Sequence, residues 1–90
     1  MATRPLPALD LLEKQLVTLI SERLLEVSGD FSADSNLYDA GLDSMAIMQL
    51  LILLEQEYGI AIPDNDLTRH RLSSVRNLAA LLHDCGGGER

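Results

Sequence analysis

Paired cysteines are what this chain most plainly lacks. Cys85 stands alone, so no internal disulfide can form, which points to a reducing, cytoplasmic home. Beside Gly86, Gly87 and Gly88 its thiol is expected to be exposed and mobile. Histidine is nearly as scarce. His70 and His83 fall on different predicted elements, and neither joins a Cys/His cluster with metal-ligand spacing, so no metal site is expected. Long apolar runs are missing too: residues 47–54 are broken by Gln49 and fall far short of the ~20 residues that cross a bilayer. The first residues, with Arg4, Pro5 and Pro7, hold no apolar core followed by a small-residue cleavage site, so no secretory signal is read there. Positive charge is also in deficit. Seven Lys and Arg face fourteen Asp and Glu, for a net charge of −7, which disfavours nucleic acid and membrane surfaces and suits a partner with a basic face. Residues 31–60 hold five of the acidic groups and no Lys or Arg at all.

What is present is helical spacing, with no alternating strand and no internal repeat, and 90 residues make one small domain without room for a deep cleft. The fold expected is all-α. Leu9, Leu12, Leu16, Ile20, Leu24 and Val27 recur at three- and four-residue steps, predicting a first helix of about five turns from Pro7 to the stop at Ser28, Gly29 and Asp30. Residues 30–42 read as a long loop that Phe31, Leu37, Tyr38 and Leu42 pack onto the core. A second helix is expected from the N-cap Asp43 to Tyr58, with Gly59 ending it. Its buried stripe is read as Ile47, Leu50, Leu51, Leu54 and Tyr58; Met45, Gln49, Ile52 and Gln56 face outward, and Met48 and Leu53 lie at the flanks. A short helix from Asn65 to about Thr68, the basic run Arg69-His70-Arg71 and a last helix after Ser73 or Ser74 complete the chain. One domain is expected over residues 7–85, between an N-terminal extension (1–6) and a flexible tail (86–90).

Conventional active sites fail one by one. Asp30, Ser32, Asp34 and Asn36 begin like a calcium loop, but Ser35 stands where glycine is needed and Gly41 where glutamate is. No Gly-rich phosphate loop or nucleophile elbow is present, and nothing suggests a base for a serine nucleophile. Catalytic residues are therefore expected to be absent. The segment Asp39-Ala40-Gly41-Leu42-Asp43-Ser44-Met45 is different, because Asp43 can cap the second helix and deliver Ser44, near the surface, to its first turn. Helix N-termini suit an esterified phosphate, although capping alone explains the same residues.

Gly41-Leu42-Asp43-Ser44-Met45 resembles the signature of acyl carrier proteins. The residues Leu54-Glu55-Gln56-Glu57-Tyr58-Gly59-Ile60-Ala61-Ile62-Pro63-Asp64 and Leu72-Ser73-Ser74-Val75 are similar to later segments of that family, so the likeness covers roughly residues 7–83. The resemblance implies a four-helix bundle with a long loop between helices 1 and 2 and a short third helix. It also implies a free-standing, non-catalytic carrier, whose Ser44 receives 4′-phosphopantetheine from coenzyme A through a phosphopantetheinyl transferase. The arm then holds an acyl thioester for a loading enzyme and a downstream synthase, transferase or thioesterase. A monomer is expected.

Where fatty-acid members carry acids on helix 2, this chain has Ala46, Gln49 and Gln56, which shifts the expected docking from charge toward apolar contact. Met45, Met48, Gln49, Ile52 and Leu53 are the candidate docking residues, with Asp39, Asp43, Glu55 and Glu57 supplying peripheral charge. Met48 and Leu53 read equally well as core. Cargo stays open at this level: acyl chains of a fatty-acid, polyketide or other specialised pathway, or, as the alternative, an aminoacyl group as on peptidyl and D-alanyl carriers. A helical adaptor without the prosthetic group and a small serine enzyme are the rival classes.

Overall fold

The computed structural model describes residues 7–27 and 29–87. Among these residues there are three α-helices, α1 (Leu9–Arg23), α2 (Ser44–Tyr58) and α3 (Val75–Leu82), and no strand. The expected all-α class is what the backbone adopts, with three α-helices where four were expected. The missing one is the short third helix. Its place is taken by a single 3₁₀ turn, Asp64–Asp66, closed by the Asp66 N–H donating to the Pro63 carbonyl. A segment of this length cannot repay the cost of helix nucleation, and its polar side chains compete for the backbone. The Thr68 hydroxyl accepts from the Arg71 N–H, and the Ser73 hydroxyl donates to the His70 carbonyl, so residues 68–73 run as linked turns.

Helix α1 is shorter at its C-terminus than its leucine spacing predicts. After Arg23 the N–H groups of Leu24 and Leu25 both donate to the Ile20 carbonyl, which ends the regular ladder and turns these two leucines toward the core in place of Val27. The expected stop at Ser28 lies outside the described residues, as do the extension 1–6 and the tail residues 88–90. At the other end Leu9 is 45% exposed, because the helix begins to pack only at Leu12. From Leu12 onward the stripe does bury, and Leu12, Leu16 and Ile20 are fully enclosed against α3 and the rest of the core.

That core is aliphatic throughout. Leu50 and Leu54 from α2, Val75, Leu78, Leu81 and Leu82 from α3, and Leu37 from the long loop are fully buried with the α1 stripe. Each such side chain contributes about 1.5–3 kcal/mol on burial. No buried polar side-chain atom among the described residues lacks a partner. The chain ends its described part in a π turn, His83–Gly87, packed on α3. His83 Nε2 lies 2.9 Å from the Pro7 carbonyl, tying this turn to the start of α1. No described helix is long and apolar enough to cross a membrane.

Candidate functional site

The loop before α2 is a stack of turns pinned at both ends. Asn36 Oδ1 accepts from the N–H groups of Tyr38 and Asp39, at 2.8 and 3.1 Å, and the Leu42 N–H closes the turn onto the Leu37 carbonyl. Leu37 and Leu42 are both buried, so the turn between them is fixed to the core by its own ends. Gly41 has φ +116°, a left-handed conformation that a side chain would strain. Two backbone bonds then clamp this loop to the start of α3 and the turn before it: Leu37 N–H to the Ser73 carbonyl and Arg76 N–H to the Ala33 carbonyl. The side chain of Arg76 reinforces the clamp with a 2.6 Å contact to Asp34, which also raises the guanidinium's proton affinity.

This scaffold delivers Asp43 as the N-cap of α2. Its Oδ1 accepts from the Ala46 N–H at 2.9 Å and its carbonyl accepts from Ile47. Ser44 is the first residue of the helix and is exposed, and its hydroxyl has no hydrogen-bond partner among the described residues. The N–H groups of Ser44 and Met45 belong to the first turn, where no intrahelical acceptor exists, and they leave partial positive charge beside that hydroxyl. A phosphodiester on Ser44 Oγ therefore meets open solvent and helix N–H donors. The residues fit an esterified phosphopantetheine arm.

The outward face of α2 is continuous with this point. Met45 is 72%, Met48 65% and Ile52 53% exposed, and Gln49 lies among them. At 100° per residue these four share one stripe, with exposed Glu55 at its edge. Met48 is thus a surface residue, whereas Leu53 is half-buried and turned partly inward. Ala46 departs from the sequence reading as well. It is buried beside Leu50, so the weakness of negative charge on the outer face comes from Gln49 and Gln56 alone. Asp39 is exposed on the turn that precedes the helix. Glu57 lies apart, paired with Arg23 of α1 at 3.1 Å.

Other candidates disperse. Cys85 is half-buried instead of exposed: its thiol lies 3.7 Å from Asp66 Oδ2, and desolvation together with that carboxylate pushes its pKa up. The π turn, invisible in a Gly-rich sequence, holds it there. No group of three or more His, Cys, Asp or Glu among the described residues could hold a metal ion. One arrangement escaped sequence reasoning altogether: the Arg69 guanidinium lies 4.2 Å from the centre of the Tyr38 ring. The two residues are 31 positions apart, and no spacing rule links them.

Comparison with known proteins follows the same line. The family model described as the phosphopantetheine attachment site matches residues 14–82. The acyl carrier proteins of Rickettsia canadensis (strain McKiel) and Rickettsia typhi (strain ATCC VR-144 / Wilmington) are each 31% identical over 61 residues, covering 67% of this chain and 71% of theirs. Among solved structures, the fold resembles a chain in the crystal structure of Bradyrhizobium japonicum glycine:carrier protein ligase complexed with glycylated carrier protein. The TM-score is 0.62 at 23% identity, over 83% of this chain and 99% of that one. A complex of the same ligase with its cognate carrier protein and an analogue of glycyl adenylate gives 0.65 at 22%, over 87% and 99%. The chain belongs to the acyl carrier protein family and contains that family's phosphopantetheine attachment domain.

Proposed function

We propose that the protein is a non-catalytic carrier and that Ser44 is the residue to which 4′-phosphopantetheine is attached. The observation that carries this reading is the exposed, unpartnered hydroxyl of Ser44 at the capped N-terminus of α2. In the transfer, Ser44 Oγ attacks the phosphorus of coenzyme A that bears the pantetheine, its proton leaves, and adenosine 3′,5′-bisphosphate departs. A phosphopantetheinyl transferase supplies the base that takes that proton. When bound, the arm's terminal thiol supplies the thioester bond that holds the cargo. The protein's own residues position the arm and present a docking face. Met45, Met48, Gln49 and Ile52 form the centre of that face, Leu53 its inner edge, and Asp39, Asp43 and Glu55 its acidic rim.

The cargo is an acyl group of a fatty-acid, polyketide or other specialised pathway, as the acyl carrier relatives support. A second reading, an aminoacyl cargo, is favoured by the fold neighbours, both from complexes of a glycine:carrier protein ligase. The partners are then the transferase, a loading enzyme and a downstream synthase, transferase or thioesterase, met by a monomer in the cytoplasm.

Incubation with coenzyme A and a broad-specificity transferase, followed by intact mass measurement, tests the central claim. The expected gain is one phosphopantetheine arm, lost in Ser44→Ala. Absence of any gain, or a gain that persists in the variant, overturns it. Release and identification of the thioester from protein purified from its host then separates acyl from aminoacyl cargo.

A further inference from the structure

Four arginines lie among the described residues, and three of them are committed to carboxylates: Arg23 to Glu57, Arg71 to Asp84 and Arg76 to Asp34. Arg69 is not. Its guanidinium lies over the Tyr38 ring, 4.2 Å from the ring centre, and the same tyrosine donates its hydroxyl to the Arg69 carbonyl at 3.4 Å. Two contacts from one tyrosine thus hold an exposed cation in a fixed place while leaving its five N–H donors free. In a chain of net charge −7 an uncommitted, immobilised guanidinium is a resource that nearby carboxylates have not consumed.

The position of that shelf follows from the backbone. Tyr38 sits in the turn whose ends are joined by the Leu42 N–H to Leu37 carbonyl bond, and Ser44 follows Leu42 by two residues. Consecutive Cα atoms are 3.8 Å apart, so Ser44 lies within about 8 Å of Leu42 along the chain. Tyr38 and Ser44 therefore flank one closed turn, one residue and two residues from its hydrogen-bonded ends. The local charge there is otherwise negative, with Asp39 and Asp43 exposed on either side of the turn. An anion esterified to Ser44 meets helix N–H donors on one side and carboxylates on the other.

We propose that Arg69, held on Tyr38, is the positioning residue for the prosthetic arm: its guanidinium takes the arm's phosphodiester and leans the arm toward the turn at residues 68–71. The proposal rests on Ser44 being the attachment site. Arginine suits this task because its planar fork meets phosphate oxygens in pairs while its face stays on the ring.

The test uses apo and holo forms of the full chain, prepared with coenzyme A and a broad-specificity transferase and checked by intact mass. Arginine side chains are then labelled with phenylglyoxal, and each site is quantified by peptide mass. Arg69 is expected to react about two- to fivefold more slowly in the holo form, the range set by an exposed, solvent-screened ion pair. Arg76, already paired with Asp34, should react equally in both forms. The Arg69 Nε–Hε resonance should shift on holo formation and return toward its apo position as NaCl is raised. In Tyr38→Leu, where the shelf is removed, the protection should fall, and in Tyr38→Phe, where the ring remains, it should persist. A holo form of correct mass with no change at Arg69 overturns this proposal and leaves Ser44 standing. A mass gain absent from the start overturns the attachment reading instead. Protection of Arg69 that appears only when a partner enzyme is added assigns the residue to docking, and it too overturns the arm contact.

Discussion

A single carboxylate decides how Ser44 is presented. Asp43 Oδ1 takes the Ala46 N–H, and without it the first turn of α2 loses its only side-chain acceptor. Asp43→Ala should therefore destabilise the fold by about 1 kcal/mol, and Asp43→Asn by much less, because the amide oxygen can still cap. Urea unfolding of the apo forms measures both; equal losses would mean the carboxylate's charge, and not its cap, is what matters. Cys85 gives a second expectation at this scale. Its thiol is half-buried against Asp66, and burial raises its pKa, so at neutral pH iodoacetamide should alkylate it more slowly than it alkylates glutathione. The sign of the linkage is fixed as well. A thiol whose pKa is higher folded than unfolded keeps its proton longer in the native state, so its contribution is intact below the unfolded pKa. That contribution fades as the pH climbs through the folded one. Stability measured from neutral to alkaline pH should fall more steeply for the native chain than for Cys85→Ala.

At the scale of elements, α2 carries two separate properties on two faces. Leu50 and Leu54 bury its inner side, while Met45, Met48 and Ile52 expose apolar area that contributes nothing to the core. Ile52→Ala and Met48→Ala should leave the unfolding midpoint within experimental scatter yet slow loading by the natural partner about five- to tenfold each, as central interface residues do. Glu55→Lys should have a smaller effect that shrinks further in salt, since an exposed rim charge is screened. Steady-state kinetics with holo protein as the varied substrate reads all three. Loading rates equal to the parent's in both apolar variants would remove this face from the interface.

Helix α2 is also where the sequence is most readable. Its start at Asp43, its end at Gly59 with φ +70° and its outer stripe follow from local rules, and Leu50 and Leu54 bury as expected, whereas Ala46 is buried in addition and Ile47, Leu51 and Tyr58 are only half-buried. The first and last helices are legible for the same reason, apart from the C-terminal turn of α1, where Leu24 and Leu25 are pulled inward by contacts that spacing does not encode. The stretch between α2 and α3 is not legible. Pro63 and Asp64 look like a helix start, but too few residues follow for a helix to propagate, and Thr68 and Ser73 offer turns instead. The capped start of α2 at Asp43 and Ser44 can be read because capping is local. The Arg69–Tyr38 contact cannot, because it depends on how two loops meet.

Across the whole molecule, two forces oppose each other. An aliphatic core with Leu12, Leu16, Ile20, Leu50, Leu78 and Leu81 fully enclosed draws the helices together. A net charge of −7 on 90 residues pushes the surface apart, and only three ion pairs are formed among the described residues, all exposed or nearly so. Residues 31–60 concentrate the imbalance, since they contain no Lys or Arg to relieve it. Salt screens repulsion between surface charges and leaves burial almost untouched: the Debye length falls from about 30 Å at 0.01 M to about 10 Å at 0.1 M, from well beyond the spacing of neighbouring surface charges to close to it. The melting temperature of the apo protein should therefore rise by several degrees between 10 and 200 mM NaCl, about 1 kcal/mol for a domain of this size. Asp39→Asn, which removes one exposed acid without disturbing a buried group, should reproduce part of that gain at low salt and little of it at high salt. Were the dominant electrostatics instead the three ion pairs, salt would lower the melting temperature, and Arg76→Gln would cost more at 10 mM than at 200 mM. A calorimetric series at the two salt concentrations distinguishes these outcomes by the sign of one shift.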